Sequence, residues 1–220
     1  MSDWVGNSNS IFKTHGASNH CENDREINDF YATPPIATNA LIRYCQNNNI
    51  DIFSKTIFEP ACGKGHISEC FKTIGCNVIS HDLVDRNYAD KLEDFLQTNY
   101  KNLDYNIITN PPYKFAKEFV EKSIESINND NYVCMLLKIT FLEGTKRLEM
   151  FKKYPPYKIL IFSDRINCSA GGDFNKDSEL GGAVGYAWYI WKKGNNNLPT
   201  IDWITAKDDY NVTQKTNKLF

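Results

Sequence analysis

The sequence lacks several things that would have made it easy to classify. No run of about 18 apolar residues occurs, so no segment reads as a membrane span. The opening Met1-Ser2-Asp3-Trp4 lacks the basic-then-apolar order of a secretory leader. Seven cysteines occur, at 21, 45, 62, 70, 76, 134 and 168, but no two form a Cys-x-x-Cys pair. That spacing argues against a zinc site or disulfide framework and for free thiols in a reducing cytoplasm. His20, His66 and His81 have no partner at metal-ligand spacing, so no metal is expected. An excess of positive charge is missing too: the formal net charge is −2.

What remains is an ordinary globular composition, 41% hydrophobic and 24% charged over 220 residues, enough for one α/β domain. The charge is uneven. Lys138, Lys146, Arg147, Lys152, Lys153, Lys158 and Arg165 outnumber Glu143, Glu149 and Asp164 in the same stretch. Such a segment is either a phosphate-binding face or a solvated helix face.

Residues 1–29 are polar and aperiodic, the composition of a partly ordered arm. Pro34-Pro35 then precedes Ile36, Ala40, Leu41 and Tyr44, the spacing of an amphipathic helix with proline in its first turn. Strand-like runs follow at 56–59, 77–80, 106–109, 132–137, 158–162 and 184–191, and helical runs at 67–74, 115–127 and 143–153. The alternation predicts a parallel sheet covered on both faces. The run Tyr132 to Leu137 is apolar throughout, as a strand buried on both sides must be. One long loop, 167–182, carries two Gly-Gly pairs, and loops of that length are often functional. Three parts are therefore expected: the arm 1–29, a core domain 30–194 and an extension 195–220.

Two turns carry the chemistry. Glu59-Pro60-Ala61-Cys62-Gly63-Lys64-Gly65 joins a strand to a helix, and its glycines let backbone approach a ligand. Ser68 stands where a dinucleotide fingerprint wants glycine or alanine, and the Walker-A Lys-Ser/Thr ending is missing, so the turn is not built for pyrophosphate. The second turn, Asn110-Pro111-Pro112-Tyr113, also follows a strand and precedes a helix. Two prolines lock φ and remove two backbone donors. The Asn110 side-chain oxygen and the Pro111 carbonyl are left as rigid acceptors, able to take both protons of an amino group. Those bonds draw the nitrogen toward tetrahedral geometry and free its lone pair. Tyr113 offers a face on which a base can stack.

The first turn resembles motif I, and the second motif IV, of S-adenosylmethionine-dependent amino-group methyltransferases. Asp29-Phe30-Tyr31-Ala32-Thr33-Pro34-Pro35 looks like motif X of DNA methyltransferases. The stretches 16–20, 137–144 and 186–191 are similar to those of phage and prophage DNA adenine methyltransferases. The resemblance covers most of residues 1–194. It implies a Rossmann-like α/β fold with a seven-stranded, mostly parallel sheet and an antiparallel strand near the C-terminus. It implies S-adenosylmethionine as cofactor, held by Tyr31, Thr33, Glu59, Pro60, Ala61, Gly63, Gly65 and Asn110. It also implies Asp82, 17 residues after Gly65, on the ribose hydroxyls, and Asp94 and Phe95 on the adenine. Catalysis would fall to Asn110, Pro111, Pro112 and Tyr113, by positioning and preorganised dipoles, with no metal.

The implied substrate is the N6 amino group of adenine in DNA, presented as a flipped base in the cytoplasm of a bacterial or phage-infected cell. Flipping costs roughly a few kcal/mol, and stacking on Tyr113 would return about 1–3 kcal/mol. The chain departs from many DNA methyltransferases in having no sizeable target-recognition domain. The arm, the 167–182 loop or the tail would have to read sequence, which implies a short site or a helper subunit. Asn-Pro-Pro-Tyr also serves enzymes that methylate protein glutamine or ribosomal RNA guanine N2. Cytosine N4 and a catalytically silent DNA-binding relative complete the alternatives.

Overall fold

The computed structural model describes residues 30–170, 172, 174 and 179–207. The expected arm, 1–29, lies outside the described residues, as do 171, 173 and 175–178 of the expected target loop and the end of the chain, 208–220.

The chain enters through a two-residue strand, β1 (Tyr31–Ala32), and then α1 (Pro35–Asn47). Pro35 sits at the first helical position, where its missing N–H costs nothing and its φ is preset. β2 (Thr56–Glu59), α2 (His66–Thr73), β3 (Val78–Asp82) and β4 (Lys91–Leu92) follow. Next come β5 (Tyr105–Thr109), α3 (Ala116–Ser126), β6 (Tyr132–Lys138), α4 (Thr145–Lys153) and β7 (Lys158–Phe162). β8 (Ser169–Ala170), β9 (Tyr186–Lys192) and β10 (Thr200–Ile204) close the order.

One sheet runs β10-β7-β9-β6-β5-β2-β3-β4. All its pairs are parallel except those of β9, which lies antiparallel between β6 and β7. β1 and β8 pair with each other in a small separate ladder. The Rossmann-like arrangement expected from the sequence is present, with one correction: the main sheet has eight strands rather than seven. Both edge strands, β4 and β10, lie outside the six strand-like runs of the sequence, and β10 comes from the stretch assigned above to a C-terminal extension. Ile204 accepts the Ser163 N–H at 2.9 Å, continuing the β7–β10 ladder. Its pattern was hard to read because Ile201 and Trp203, 51% and 66% exposed, break the link between apolar character and burial.

Both faces of the sheet are covered. Along β6, Cys134 and Leu136 enter the core beneath α1 and α2, while Val133, Met135 and Leu137 enter the core beneath α3 and α4. β9 divides the same way, Trp188 and Ile190 to one side and Tyr189 and Trp191 to the other. A strand buried on both faces cannot alternate polar and apolar residues, hence the unbroken runs. The buried indoles find acceptors: Trp188 Nε1 donates to the Ala37 carbonyl at 2.9 Å and Trp191 Nε1 to that of Tyr154 at 3.0 Å. α4 begins two residues later than the composition suggested, because Gly144 has φ +98° and stands outside the helix.

The sheet order places the site. From β2 the chain steps to β3 and β4 on one side, then returns to β5 on the other. The crevice outside the carboxyl ends of β2 and β5 is where open α/β sheets hold ligands. Replacing Trp188 with Phe should lower unfolding free energy by about 2–3 kcal/mol, from lost packing and the lost bond to α1. Urea denaturation measures this; a change under about 0.5 kcal/mol would mean the indole does not fasten α1 to the sheet.

Candidate active site

A cavity of about 550 Å³ opens in that crevice. Its lining comes from five segments: Phe30–Thr33, Glu59–Cys62 with His66 and Ile67, Asp82–Val84 with Arg86, Glu93–Gln97, and Asn110 with Pro112, Lys114, Phe115 and Phe119. The fold thus brings most of the expected site residues to one place: Tyr31, Thr33, Glu59, Pro60, Ala61, Asp82, Asp94, Phe95, Asn110 and Pro112. Gly63, Gly65, Pro111 and Tyr113 are not in its wall.

The two glycines shape the turn from behind. Gly63 and Gly65 have φ of +56° and +82°, in the left-handed region that side chains avoid. A side chain there would also push a ring aside. A Cβ on Gly63 would lie 2.3 Å from the Phe30 ring, and one on Gly65 2.1 Å from the Tyr88 ring. Glu59, at the end of β2, is buried, and its Oε2 accepts the Ser68 N–H at 2.9 Å and the Ser68 hydroxyl. It supplies α2 with a cap from outside the helix. Burial pushes the Glu59 carboxyl up to about 8, against the lowering effect of the Ser68 bonds.

Asp82 takes three donors. Its Oδ2 accepts the Gly63 N–H at 2.7 Å. Its Oδ1 accepts the Val84 N–H at 2.8 Å and Arg86 Nη1 at 2.9 Å. The Arg86 guanidinium lies 4.4 Å from the centre of the Phe30 ring. Asp94 Oδ1 accepts the Leu96 N–H at 2.9 Å, closing a local turn. Phe95 is buried against Phe58, Tyr100 and Phe119, at 6.1, 5.6 and 5.1 Å between ring centres.

On the β5 side, Asn110 Nδ2 donates to the Tyr31 carbonyl at 2.8 Å. That bond fixes the amide orientation and leaves Oδ1 facing away from Tyr31. Among the described residues Asn110 Oδ1 has no hydrogen-bond partner although it is buried, and the same holds for Thr33 Oγ1. Unpaired buried polar atoms are costly, and these two border the cavity, where a partner can reach them.

Tyr113 differs from expectation. Its ring packs against Tyr31 and Tyr186, at 5.7 and 6.1 Å, with Lys138 Nζ 4.7 Å from its centre. Burial beside Cys168 and Tyr186 holds its phenol well above the usual range. The aromatic side chain of this turn that borders the cavity is Phe115, 42% exposed. The sequence reading also missed Phe30 and Arg86. Phe30 had a signal in its place directly before Tyr31, and Arg86 had one in standing four residues after Asp82, within reach of a local turn.

The basic segment is mostly spoken for. Arg147 Nη2 donates to the Thr140 carbonyl at 3.2 Å and to that of Glu143. Lys152 pairs with Glu149 at 3.0 Å and Lys153 with Glu125 at 3.2 Å. This favours the solvated-face reading of α4. Burial pushes the Cys45 and Cys168 thiols up to about 12, so they stay protonated. No group of three or more His, Cys, Asp or Glu side chains among the described residues is arranged to hold a metal ion. No described helix is long and apolar enough to cross a membrane.

No protein-family model and no curated protein sequence matches the chain. Solved structures do. A Listeria monocytogenes protein assigned to the class I S-adenosylmethionine-dependent methyltransferases superposes with a TM-score of 0.57 at 14% identity, over 83% of this chain and 68% of that one. The M protein of the type I restriction enzyme EcoKI gives 0.53 at 15% identity, over 76% of this chain and 45% of that one. A Pyrococcus horikoshii protein assigned as an RNA methyltransferase gives 0.53 at 17% identity, over 74% of this chain and 87% of that one. The chain therefore has the fold shared by class I methyltransferases, and it spans under half the length of the restriction-enzyme subunit.

Glu59 makes stability depend on pH. Its carboxyl titrates near 8 when folded and near the ordinary carboxylate value when unfolded. Between the two values the folded state holds the extra proton, so stability is fully present below the lower one and is lost as pH rises through about 8. Urea midpoints at pH 5, 7 and 9 should fall in the native protein. The fall should be shallower in Glu59→Gln; equal slopes would remove Glu59 as its source.

Proposed function

We propose that the protein transfers a methyl group from S-adenosylmethionine to the N6 amino group of adenine in DNA. The observation that carries this reading is the buried, partnerless Asn110 Oδ1 on the cavity wall, within Asn-Pro-Pro-Tyr at the end of β5. A rigid acceptor without a donor is what an incoming amino group requires.

The cavity also suits the cofactor. About 550 Å³ accommodates a nucleoside joined to an amino acid, and the segment pattern follows its parts. Thr33 Oγ1 is a buried polar atom free for the amino-acid end. Pro60, Ala61 and the turn shaped by Gly63 and Gly65 border the middle, with Glu59 holding that turn to α2. Asp82 would face the ribose, and Asp94 with Phe95 the adenine. Tyr31 carries the carbonyl that orients Asn110. When bound, S-adenosylmethionine supplies an electrophilic methyl group on sulfur.

This chain's part is positional. Asn110 Oδ1 and the Pro111 carbonyl take the two amine protons and turn the nitrogen lone pair toward the methyl. Pro111 and Pro112 keep those acceptors from relaxing. With the cofactor bound, the two acceptors would hold the nitrogen in line with the methyl group and pass the amine proton on to solvent. No charged base is needed, since the nitrogen becomes acidic as it is alkylated. Tyr113 would stack on the base once Lys138 leaves its face; Phe115 is the other aromatic surface at the mouth. The restriction-enzyme neighbours favour DNA, and the RNA methyltransferase neighbour makes RNA the comparison substrate.

Incubation with labelled cofactor and unmethylated DNA, followed by nucleoside analysis, should yield N6-methyladenine. N4-methylcytosine, methylated RNA or methylated protein as the main product would replace the substrate. Asn110→Ala should lower kcat by at least about 100-fold, the scale of losing one preorganised hydrogen-bonding group, with cofactor affinity nearly intact. An active Asn110→Ala enzyme would remove the mechanism.

A further inference from the structure

Arg86 belongs to no motif, yet it occupies the carboxylate that the cofactor reading gives to the ribose. An ionised carboxylate offers about four lone-pair positions. Three Asp82 positions are in use: Gly63 N–H on Oδ2, and Val84 N–H with Arg86 Nη1 on Oδ1. One is left, and a ribose brings two hydroxyl donors.

A position must therefore be vacated. The Gly63 and Val84 donors are backbone groups, fixed by the turns after β2 and β3. Only the Arg86 contact is made by a side chain that can rotate away without undoing a turn. Among the described residues its interactions lie within the site: the ion pair to Asp82 and the Phe30 ring 4.4 Å from the guanidinium. Both Asp82 and Arg86 side chains are shielded, 9% and 15% exposed, so solvent weakens the pair little.

We propose that Arg86 is an internal competitor for the ribose subsite: it closes Asp82 in the free protein and must swing off for the cofactor to bind. The proposal rests on the S-adenosylmethionine reading of the cavity. It makes Arg86 a determinant of cofactor affinity, and it couples the two halves of the site. Departure of Arg86 removes the cation from Phe30. Phe30 packs on Gly63 and directly precedes Tyr31, whose carbonyl orients Asn110. Filling the ribose end is thereby communicated to the amine acceptor through one residue of backbone.

The test is calorimetry with S-adenosylhomocysteine, which carries the ribose but no sulfonium charge. Arg86→Met keeps an unbranched side chain on Phe30 and removes the donor. It should bind about tenfold more tightly than the native protein, the scale of one hydrogen bond to a charged acceptor. The gain must depend on Asp82: the pair Asp82→Asn with Arg86→Met should bind no more tightly than Asp82→Asn alone. A mere loosening of the loop would not reproduce that dependence. Arg86→Lys, which keeps the charge but loses the flat contact with Phe30, should gain affinity to a smaller degree. It stands in if Arg86→Met does not fold. Unchanged or weaker binding in the folded Arg86 variants, or a gain that survives Asp82→Asn, overturns the proposal while leaving the cofactor reading in place. If neither the native protein nor any variant binds S-adenosylhomocysteine, the cofactor reading itself falls, and the proposal with it.

Discussion

The site hangs on the Asp82 carboxylate. It stands at the end of β3, nearly enclosed, and takes donors from three directions. One donor is the backbone of the glycine turn after β2. One is the loop directly after β3. The third is the Arg86 side chain, which in turn carries the Phe30 ring. A buried carboxylate without such donors would be expensive. Here the same atoms that solvate the charge define the curvature of the turn and the entrance segment packed on it. Gly63 has no side chain because a backbone N–H must come within hydrogen-bond distance of Asp82 on one side while Phe30 presses from the other.

A second polar arrangement works beside it. Glu59, Ser68 and Ser80 join β2, α2 and β3 beneath the turn, with Ser68 and Ser80 Oγ atoms 2.7 Å apart. Asp82 thus sets the outer surface of the turn and Glu59 its inner support. The contrast in environment is marked. Asp82 keeps an ion pair and two backbone donors, whereas Glu59 has the Ser68 bonds and the Lys72 charge against its burial, and burial prevails. The carboxylate offered to a ligand and the carboxyl that braces the backbone are separated by solvation, not by residue type.

The opposite wall follows a different rule. Asn110 gives its amide donor to the Tyr31 carbonyl and keeps its oxygen free. That division is possible only because β1 lies across the end of β5, held by its pairing with β8. The entrance segment is thus part of both halves of the site, through Phe30 on the glycine turn and through Tyr31 on the amide. Arg147 is turned inward onto the Thr140 and Glu143 carbonyls, and the lysines of α4 answer nearby glutamates. Lys114 lines the cavity, and Lys138 covers the Tyr113 ring.

Most of the architecture was legible in order. Runs such as Tyr132 to Leu137 are apolar at every position, and only a strand covered on both faces requires that. Gly63, Gly65 and the paired prolines mark turns because their backbones are restricted or freed before any folding occurs. The sequence by itself therefore determined the α/β alternation, the two chemical turns and the acidic residue that ends β3. It could not determine what those residues touch. β10 escaped notice because its alternate residues face solvent, so their apolar character carried no burial signal. Tyr113 was read as an open platform, but Tyr31, Tyr186 and Lys138 converge on it from 82, 73 and 25 positions away. Phe115 bordering the cavity was likewise decided by tertiary structure, whereas Arg86 reaches Asp82 within one local turn, four residues on. Local conformational preference is written in neighbouring residues, whereas the occupancy of a hydrogen-bonding position depends on which distant side chains the sheet order brings within about 3 Å.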